Sequence, residues 1–405
     1  MATVAVFLLL VFLYSLVSRR MERTILTAPA LFTAAGLVCF WTSSVSLDGE
    51  STGKTLLKLA EFGLVLLLFT DASKTDLQEL KSIRSLPIRL LSVGMLLTLL
   101  LGLLAARVVF PQMTIWEAGI LAAILAPTDA GLGQVIVNSP KVPRRIREAL
   151  NVEAGLNDGL SVPFLLFFMA IAAESGHSGE GLLWRFVLEQ LGLGTLIGLT
   201  VGCGGGWLLD LARRRQWATG AMGQLGLVAL PLLCALASEH FRASMFIAAF
   251  VAGLAVQVRF KEAGKESVEF TEGWGQLANL LVFFLFGIIA ARALPQIGFA
   301  PVCYAVLSLT LVRMVPVALA LTGTGLRAPT VLFMGWFGPR GLASIVLGLV
   351  FLEHEGLFPG ETSIRLAVVA TVLLSVFAHG CSALGGINLH ARVVGMEEEA
   401  GHGPR

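Results

Sequence analysis

The sequence of 405 residues is 56% hydrophobic and only 14% charged, with a formal net charge of +2. Soluble domains carry about a quarter charged residues, so this composition excludes an ordinary soluble fold. The nearly balanced charge also excludes the broad basic surface of a nucleic-acid-binding protein, and the lipid bilayer becomes the expected surrounding.

Hydropathy gives thirteen candidate membrane spans, since a helix needs roughly 20 predominantly apolar residues to cross a bilayer. In chain order they cover residues 2–18, 27–47, 55–73, 86–108, 115–138, 147–173, 183–210, 218–237, 243–257, 274–293, 298–322, 329–351 and 362–386. Lys and Arg concentrate in alternate loops, which places the N-terminus outside and the C-terminus in the cytoplasm. We therefore expect an all-α integral membrane protein of a bacterial inner membrane, with one transmembrane domain at 1–388 and a short cytoplasmic tail at 389–405.

Predicted helix 3 carries two acids, Glu61 and Asp71. An ionised side chain at the bilayer centre costs about 2.5–3.5 kcal/mol on insertion scales, so each needs a partner or a function. Arg313 of predicted helix 11 is a candidate partner for Glu61. Asp71 ends helix 3 and is either a cytoplasmic entry ligand for a cation or an ordinary interfacial acid, and we favour the first.

Predicted helices 5 and 12 are each interrupted by proline and glycine. Helix 5 contains Ala126-Pro127-Thr128-Asp129-Ala130-Gly131, and helix 12 contains Gly338-Pro339-Arg340-Gly341. Proline removes a backbone donor and glycine loosens the following turn, so both helices are expected to break within the membrane. Helices seven apart run in opposite directions, as two inverted repeats of helices 1–6 and 8–13 require, and transporters bind substrate where such breaks meet. The plain alternative is that these residues only kink the helices.

Predicted helix 6 carries two further acids, Glu153 and Asp158. At about 100° per residue, Glu153 shares a face with Asn157, whereas Asp158 aligns with Ser161. We pair Glu153 with Arg340, the only cation in either interrupted helix, as a buried structural ion pair. Asp158 is left without a permanent partner. Withdrawal from water favours the neutral form of a carboxylate, whose oxygens otherwise ligate small hard cations, so proton and cation should compete for Asp158.

Each of the other polar residues near the two breaks has two possible roles. Thr128 and Asp129 either complete an oxygen shell for the cation or cap the positive ends of half-helices, and we weigh these roles equally. His379 of predicted helix 13 is either a proton relay or a hydrogen-bonded packing residue, and we favour packing.

The motifs at 126–129, 153–158 and 338–341, in this order and spacing, resemble those of the NhaP-type sodium/proton antiporters, a branch of the monovalent cation/proton antiporter superfamily. The likeness covers nearly the whole chain and extends to Leu68-Phe69-Thr70-Asp71 and His379-Gly380. It implies an NhaA-like antiporter fold with crossed interrupted helices. It also implies a homodimer, in which a six-helix core bundle moves like an elevator against a dimerisation domain.

The resemblance implies roles for single residues. Asp158 matches the acid that carries cation and proton alternately, and Asn157 matches the asparagine of the electroneutral branch, which implies exchange of one cation for one proton. Glu153 and Arg340 match the family's buried ion pair. The remaining matches are the polar pair of the helix break, Thr128 and Asp129, and approximately the acid of helix 3, Asp71.

One position departs from the family pattern. Some relatives have a serine after the helix 6 glutamate that helps to ligate the ion, whereas this chain has Ala154. Ser161, about one turn further along the same face as Asp158, is a candidate replacement. The ligand shell therefore differs from that of those relatives.

The expected function is exchange of a monovalent cation, sodium first and potassium or lithium next, for a proton by alternating access, without a bound cofactor. The alternative is a proton- or sodium-coupled symporter of a small organic anion on a related fold, which would need a roomier polar cavity. An ion channel is disfavoured because no repeated filter sequence occurs. An intramembrane enzyme is disfavoured because neither a zinc-protease signature nor a nucleophile elbow occurs.

Overall fold

The computed structural model describes residues 2–21, 24, 26–42, 50–74, 85–174, 187–260, 268–352 and 358–401. All regular structure within these ranges is helical, which confirms the predicted all-α architecture. Residues 43–47 and 183–186, which end predicted helix 2 and begin predicted helix 7, lie outside the described residues.

Thirteen helices lie within the described ranges, and we number them in chain order. The first six are α1 (Ala2–Met21), α2 (Ala28–Thr42), α3 (Glu50–Lys74), α4 (Ser85–Arg89, a π-helical turn at Leu90–Gly94, and Met95–Val109), α5 in two halves (α5a, Ile115–Ile124, and α5b, Ala130–Val137) and α6 (Arg144–Glu174). The others are α7 (a π-helical turn at Val187–Leu193 and Gly194–Arg214), α8 (Gly220–Phe241), α9 (Met245–Arg259), α10 (Val268–Ala293), α11 (Phe299–Leu309 and Leu311–Ala320), α12 in two halves (α12a, Ala328–Trp336, and α12b, Leu342–Leu352) and α13 (Glu361–Gly401).

Eight of these helices are long and apolar enough to cross a membrane on their own, by length and composition. The half-helices α5a and α12b are apolar but far shorter than the roughly 20 residues that a crossing needs. Each half therefore depends on its partner half, and the break between them lies inside the protein.

The helices pack in two groups. The scaffold bundle consists of α1–α3 and α7–α10, in which α2 packs against α10, α3 against α9 and α10, and α7 against α9. The core bundle consists of α4–α6 and α11–α13, in which α4 packs against α5a, α5 against α6, and α11 against α13. Helix α3 of the scaffold bundle contacts α6 and α12b of the core bundle, and α10 contacts α12b. Each bundle thus takes matching helices from the two predicted repeats.

Helix α13 is longer than predicted. The predicted span covers residues 362–386 and is followed by a separate tail, whereas the helix continues to Gly401. Its last part is anchored, because Nε2 of the buried His390 lies 3.1 Å from the Thr330 hydroxyl and the ring packs against Phe333 with ring centroids 4.5 Å apart. No proline follows residue 387 within this helix to end it.

Candidate cation-binding site

Asp129 joins the two interrupted helices. Its backbone N–H donates to the carbonyl of Pro339 at 2.8 Å. Its Oδ1 accepts a hydrogen bond from the backbone of Leu132 in α5b at 3.0 Å, and its Oδ2 accepts one from Leu342, the first residue of α12b, at 2.6 Å. Helix N-termini carry unpaired N–H groups and partial positive charge, so one buried carboxylate serves two half-helices. Of the two roles expected of Asp129, this geometry fits capping.

Glycine at position 341 makes that double cap sterically feasible. A Cβ atom on Gly341 would lie 2.0 Å from Oδ2 of Asp129, a distance that no side chain tolerates. The carboxylate can approach the N-terminus of α12b only because the backbone there carries no side chain.

Arg340 stabilises the break in α5 from the α12 side. Its side chain is fully buried, and Nη1 donates to the carbonyl oxygens of Ala126 and, at 3.0 Å, Pro127. These carbonyls follow the end of α5a and have lost their helical partners, so the guanidinium replaces the missing donors. The backbone N–H of Arg340 donates to the Ser375 hydroxyl of α13 at 2.6 Å.

Glu153 is paired with Arg313, which corrects the predicted partner. Arg313 donates from Nη1 and Nη2 to the two carboxylate oxygens of Glu153 at 2.5 and 3.0 Å, and both side chains are buried. The predicted pair of Glu153 with Arg340 is wrong in its cation, because Arg340 is turned towards the carbonyls of the α5 break. Gly338 leaves room for the true partner, since a Cβ there would lie 2.2 Å from Nε of Arg313.

Asn157 ties α6 to the break in α5. Its Nδ2 donates to the hydroxyl oxygen of Thr128 at 2.7 Å, and both side chains are buried. The Oδ1 of Asn157 is buried without a hydrogen-bond partner among the described residues. The amide therefore has an oxygen to offer beside the break.

Asp158 is the next residue of α6, and its Oδ1 is also buried without a hydrogen-bond partner in the described part of the chain. It lies within electrostatic reach of Asp129 and Asp71. Asp71 of α3 packs against α6 one turn earlier, since a Cβ on Gly155 would lie 3.5 Å from Cβ of Asp71. The structure thus gathers three carboxylates from α3, α5 and α6 around one point.

Ala154 lines a cavity next to this point. The walls of this small cavity include Thr128, Asp129 and Glu153 with apolar residues of α5b and α6. Ser161 lies further along α6, where its hydroxyl donates to the backbone carbonyl of Asp158 at 2.8 Å. Its proton is therefore used within the helix, while its oxygen still has acceptor capacity.

His379 lies against the break in α12. Its Nε2 is 2.9 Å from the carbonyl of Trp336, the last residue of α12a, and its Nδ1 is 3.1 Å from the Ser375 hydroxyl. The ring also packs against Trp336 in a tilted arrangement, with centroids 5.1 Å apart. Both ring nitrogens have partners that support the broken helix, an arrangement that fits a packing role.

Sequence reasoning missed three contributors to this region: Arg313 as the partner of Glu153, Ser375 as the support of the α12 break, and Asn279 of α10. A Cβ on Gly131 would lie 3.1 Å from Nδ2 of Asn279, which places this amide beside the α5 break. A signal for it existed, because Asn279 is the only polar side chain in the run from 277 to 289.

The chemistry of the assembled site suits a small cation. Among the described residues, the unpaired groups include the carboxylate oxygen of Asp158 and the amide oxygen of Asn157, and such oxygens are the ligands that hard monovalent and divalent cations prefer. Two neighbouring acids already have partners. Asp129 caps two half-helices, and Glu153 forms an ion pair.

A family model described as "Sodium/hydrogen exchanger, transmembrane" matches residues 8–383. Similar proteins include the K(+)/H(+) antiporter NhaP of Alkalimonas amylolytica, 24% identical over 79% of this chain and 55% of that protein. The Na(+)/H(+) antiporter of Schizosaccharomyces pombe is 24% identical over 68% of this chain and 65% of that protein. The sodium, potassium, lithium and rubidium/H(+) antiporter of Bacillus subtilis is 26% identical over 55% of this chain and 33% of that protein.

The match thus spans between one third and two thirds of the length of these relatives. All three are antiporters by name, which lends no support to the symporter alternative. The structure also superposes on that of the sodium proton antiporter MjNhaP1 from Methanocaldococcus jannaschii with a TM-score of 0.75 and 19% identity. That superposition covers 94% of this chain and 99% of the other, so the two share a fold with crossed interrupted helices.

Proposed function

Since the chain belongs to the sodium/hydrogen exchanger family, we propose that it exchanges a monovalent cation for a proton across a membrane, with Asp158 carrying either ion in turn. The observation that carries this proposal is the buried Oδ1 of Asp158, which has no hydrogen-bond partner among the described residues. A carboxylate in that position must bind either a proton or a cation to be stable in the membrane.

Sodium is the cation we propose first, with potassium and lithium as alternatives. The names of the relatives support this range, because they include a K(+)/H(+), a Na(+)/H(+) and a mixed-cation antiporter. Thr128, Asp129 and Asp71 are the further oxygen donors proposed around Asp158, together with Asn157. Ser161 is a more distant candidate ligand. We propose that Asp129 contributes an oxygen to the cation while it also caps the two half-helices.

The exchange is proposed to be electroneutral, with one proton for each cation. A single carboxylate accepts one proton or one monovalent cation, and Asn157 beside it is neutral. The charge of Glu153 is compensated by Arg313 at 2.5 Å, and that of Asp129 by the N-termini of two half-helices. Only Asp158 is then required to change its partner during the cycle.

Alternating access follows from the two-bundle architecture. The groups that bind the ion on α5 and α6 belong to the core bundle, while Asp71 belongs to the scaffold bundle. Movement of the core bundle against the scaffold bundle would expose Asp158 to each side in turn. We further propose a homodimer in a bacterial inner membrane, with the N-terminus outside and the C-terminus in the cytoplasm.

The proposal is tested in proteoliposomes that carry an imposed pH gradient. Addition of NaCl, KCl or LiCl to the wild-type protein should dissipate the gradient with at least one of these salts, whereas choline chloride should not. Asp158→Asn should abolish the effect of the active cation. The matched control is Asp210→Asn, which removes an acid that pairs with Arg214 on the surface of α7 at 2.8 Å and should leave exchange unchanged. Full activity of Asp158→Asn, or no activity of the wild type with any cation, would refute the proposal.

A further inference from the structure

Asn279 is a polar side chain in an apolar stretch of α10. Residues 277–289 otherwise carry only apolar side chains or glycine. The Oδ1 of Asn279 is buried and has no hydrogen-bond partner in the part of the chain that the structure describes. Buried polar atoms are nearly always paired, so an unpaired amide oxygen at this depth needs an explanation.

The amide faces the break in α5. A Cβ built on Gly131 would lie 3.0 Å from Oδ1 of Asp129 and 3.1 Å from Nδ2 of Asn279. The carboxylate of the core bundle and the amide of the scaffold bundle therefore flank the same glycine. A residue larger than glycine at position 131 would crowd the space between them.

The side chains of Asn157, Asp158 and Asn279 each carry a buried oxygen without a hydrogen-bond partner among the described residues. All three side chains lie near residues 128–131: Asn157 donates to Thr128, Asp158 interacts electrostatically with Asp129, and Nδ2 of Asn279 lies beside Gly131. One small cation would satisfy all three of these acceptors, because oxygen atoms are good ligands for such ions.

We propose that Asn279 is a ligand of the transported cation from the scaffold bundle, its amide oxygen contributing to a shell formed otherwise by Asp158 and Asn157. This inference rests on the proposed function and adds a specific residue to it. Because Asn279 binds the cation but not the proton, its loss should weaken cation affinity while Asp158 remains able to exchange protons.

Two variants separate the ligand from a packing role. Asn279→Leu has a similar shape and no oxygen, whereas Asn279→Asp keeps an oxygen ligand in the same place. Gln276→Leu is the matched control, because Gln276 is an exposed amide on the same helix. Each protein is titrated with NaCl and KCl at constant ionic strength in choline chloride, and cation-dependent thermal stabilisation in detergent is measured together with the KM and maximal rate of exchange in proteoliposomes.

For Asn279→Leu we expect the half-saturating cation concentration in both assays to rise about tenfold, as for the loss of a group that supports a metal site, with the maximal rate within about twofold of wild type. The half-saturating cation concentration of Asn279→Asp and of Gln276→Leu should stay close to that of the wild type.

The inference is overturned if Asn279→Leu has the same half-saturating cation concentration as the wild type. It is also overturned if neither Asn279 variant yields folded protein, because Asn279 would then be a packing residue. If wild-type protein exchanges no cation at all, the proposed function itself has failed, and a positive wild-type assay with an unaffected Asn279→Leu rejects this inference alone.

Discussion

Glu153 and Arg313 neutralise each other where neither side chain has access to water. Both are buried, and the guanidinium binds the carboxylate through two hydrogen bonds. Removal of one partner from a buried pair leaves an uncompensated charge and costs about 3–5 kcal/mol, whereas replacement of both by apolar side chains is often close to neutral. Double variants can therefore test whether Arg313 is the arginine that pairs with Glu153.

We expect Glu153→Gln and Arg313→Met each to lower the thermal stability of the purified protein strongly. The double variant should recover most of that loss, because no buried charge is then left alone. In the matched comparison, Glu153→Gln combined with Arg340→Met should recover less of the loss than the double variant with Arg313→Met, since Arg340 binds the carbonyls of Ala126 and Pro127. Strong coupling of Glu153 to Arg340 and weak coupling to Arg313 would contradict the pairing in the structure.

Ala154 offers a second test at the residue scale. It lines the cavity beside Thr128 and Asp129, where its methyl group contributes no ligand. Ala154→Ser adds one hydroxyl oxygen at small volume, so the KM for the active cation should fall severalfold while the maximal rate changes little. The KM is measured from gradient collapse in proteoliposomes. An unchanged or higher KM would show that position 154 does not face the bound cation.

The sequence identifies which side chains carry charge inside the membrane, but it does not identify their contacts. Asp158, Glu153 and Arg340 stand out because ionised groups are rare in spanning helices. The partner of Glu153 depends on how α11 packs against α12a and on the direction in which the crossing turns Arg340. Both are tertiary facts, and the hydropathy of single helices carries no information about them.

Among the elements, α5 and α12 are predictable because proline and glycine interrupt otherwise apolar segments. The breaks fall where the sequence places them, between Ile124 and Ala130 and between Trp336 and Leu342. The support that they receive from α13 is not predictable in this way. Ser375 and His379 stabilise the α12 break by hydrogen bonds that only the packed structure reveals.

Gly341→Ala tests the double cap that joins the two interrupted helices. The added Cβ would lie 2.0 Å from Oδ2 of Asp129 and should push the carboxylate away from the N–H of Leu342. Loss of a cap costs about 0.5–2 kcal/mol, so thermal stability should fall, and exchange should fall with it.

The matched control is Gly385→Ala in α13, where a Cβ would meet nothing within 4 Å. Alanine in an exposed helical position is favoured over glycine by about 0.5–1 kcal/mol, so this variant should be as stable as wild type or more stable. Equal effects of the two substitutions would argue against a special role for Gly341.

For the whole molecule, the position of the site between two bundles determines what kind of transport is feasible. Asp158 and the breaks belong to the core bundle, whereas Asp71 and Asn279 belong to the scaffold bundle. A carrier with one exchanging carboxylate moves no net charge when one proton replaces one cation. The all-helical membrane architecture was accessible from hydropathy, while the grouping into two bundles and the proximity of α3 and α10 to the breaks required the folded structure.

Electroneutral exchange predicts that transport is independent of membrane potential. In proteoliposomes with the active cation, clamping the potential at zero with an ionophore should leave the rate of gradient collapse within about 1.5-fold of the unclamped rate, since no charge crosses the field. A rate that rises severalfold on clamping would show that net charge moves, and would exclude a stoichiometry of one to one.

If a cation and a proton compete for Asp158, cation binding must release a proton, and this release can be measured. Purified protein in weakly buffered detergent solution, at a pH where the cation-free site is protonated, is mixed with the active cation while a pH indicator reports released protons. Choline chloride serves as the blank. The account predicts release of close to one proton per chain from the wild type and from Asp210→Asn, and none from Asp158→Asn. Equal release from Asp158→Asn, or cation binding to the wild type without proton release, would contradict it.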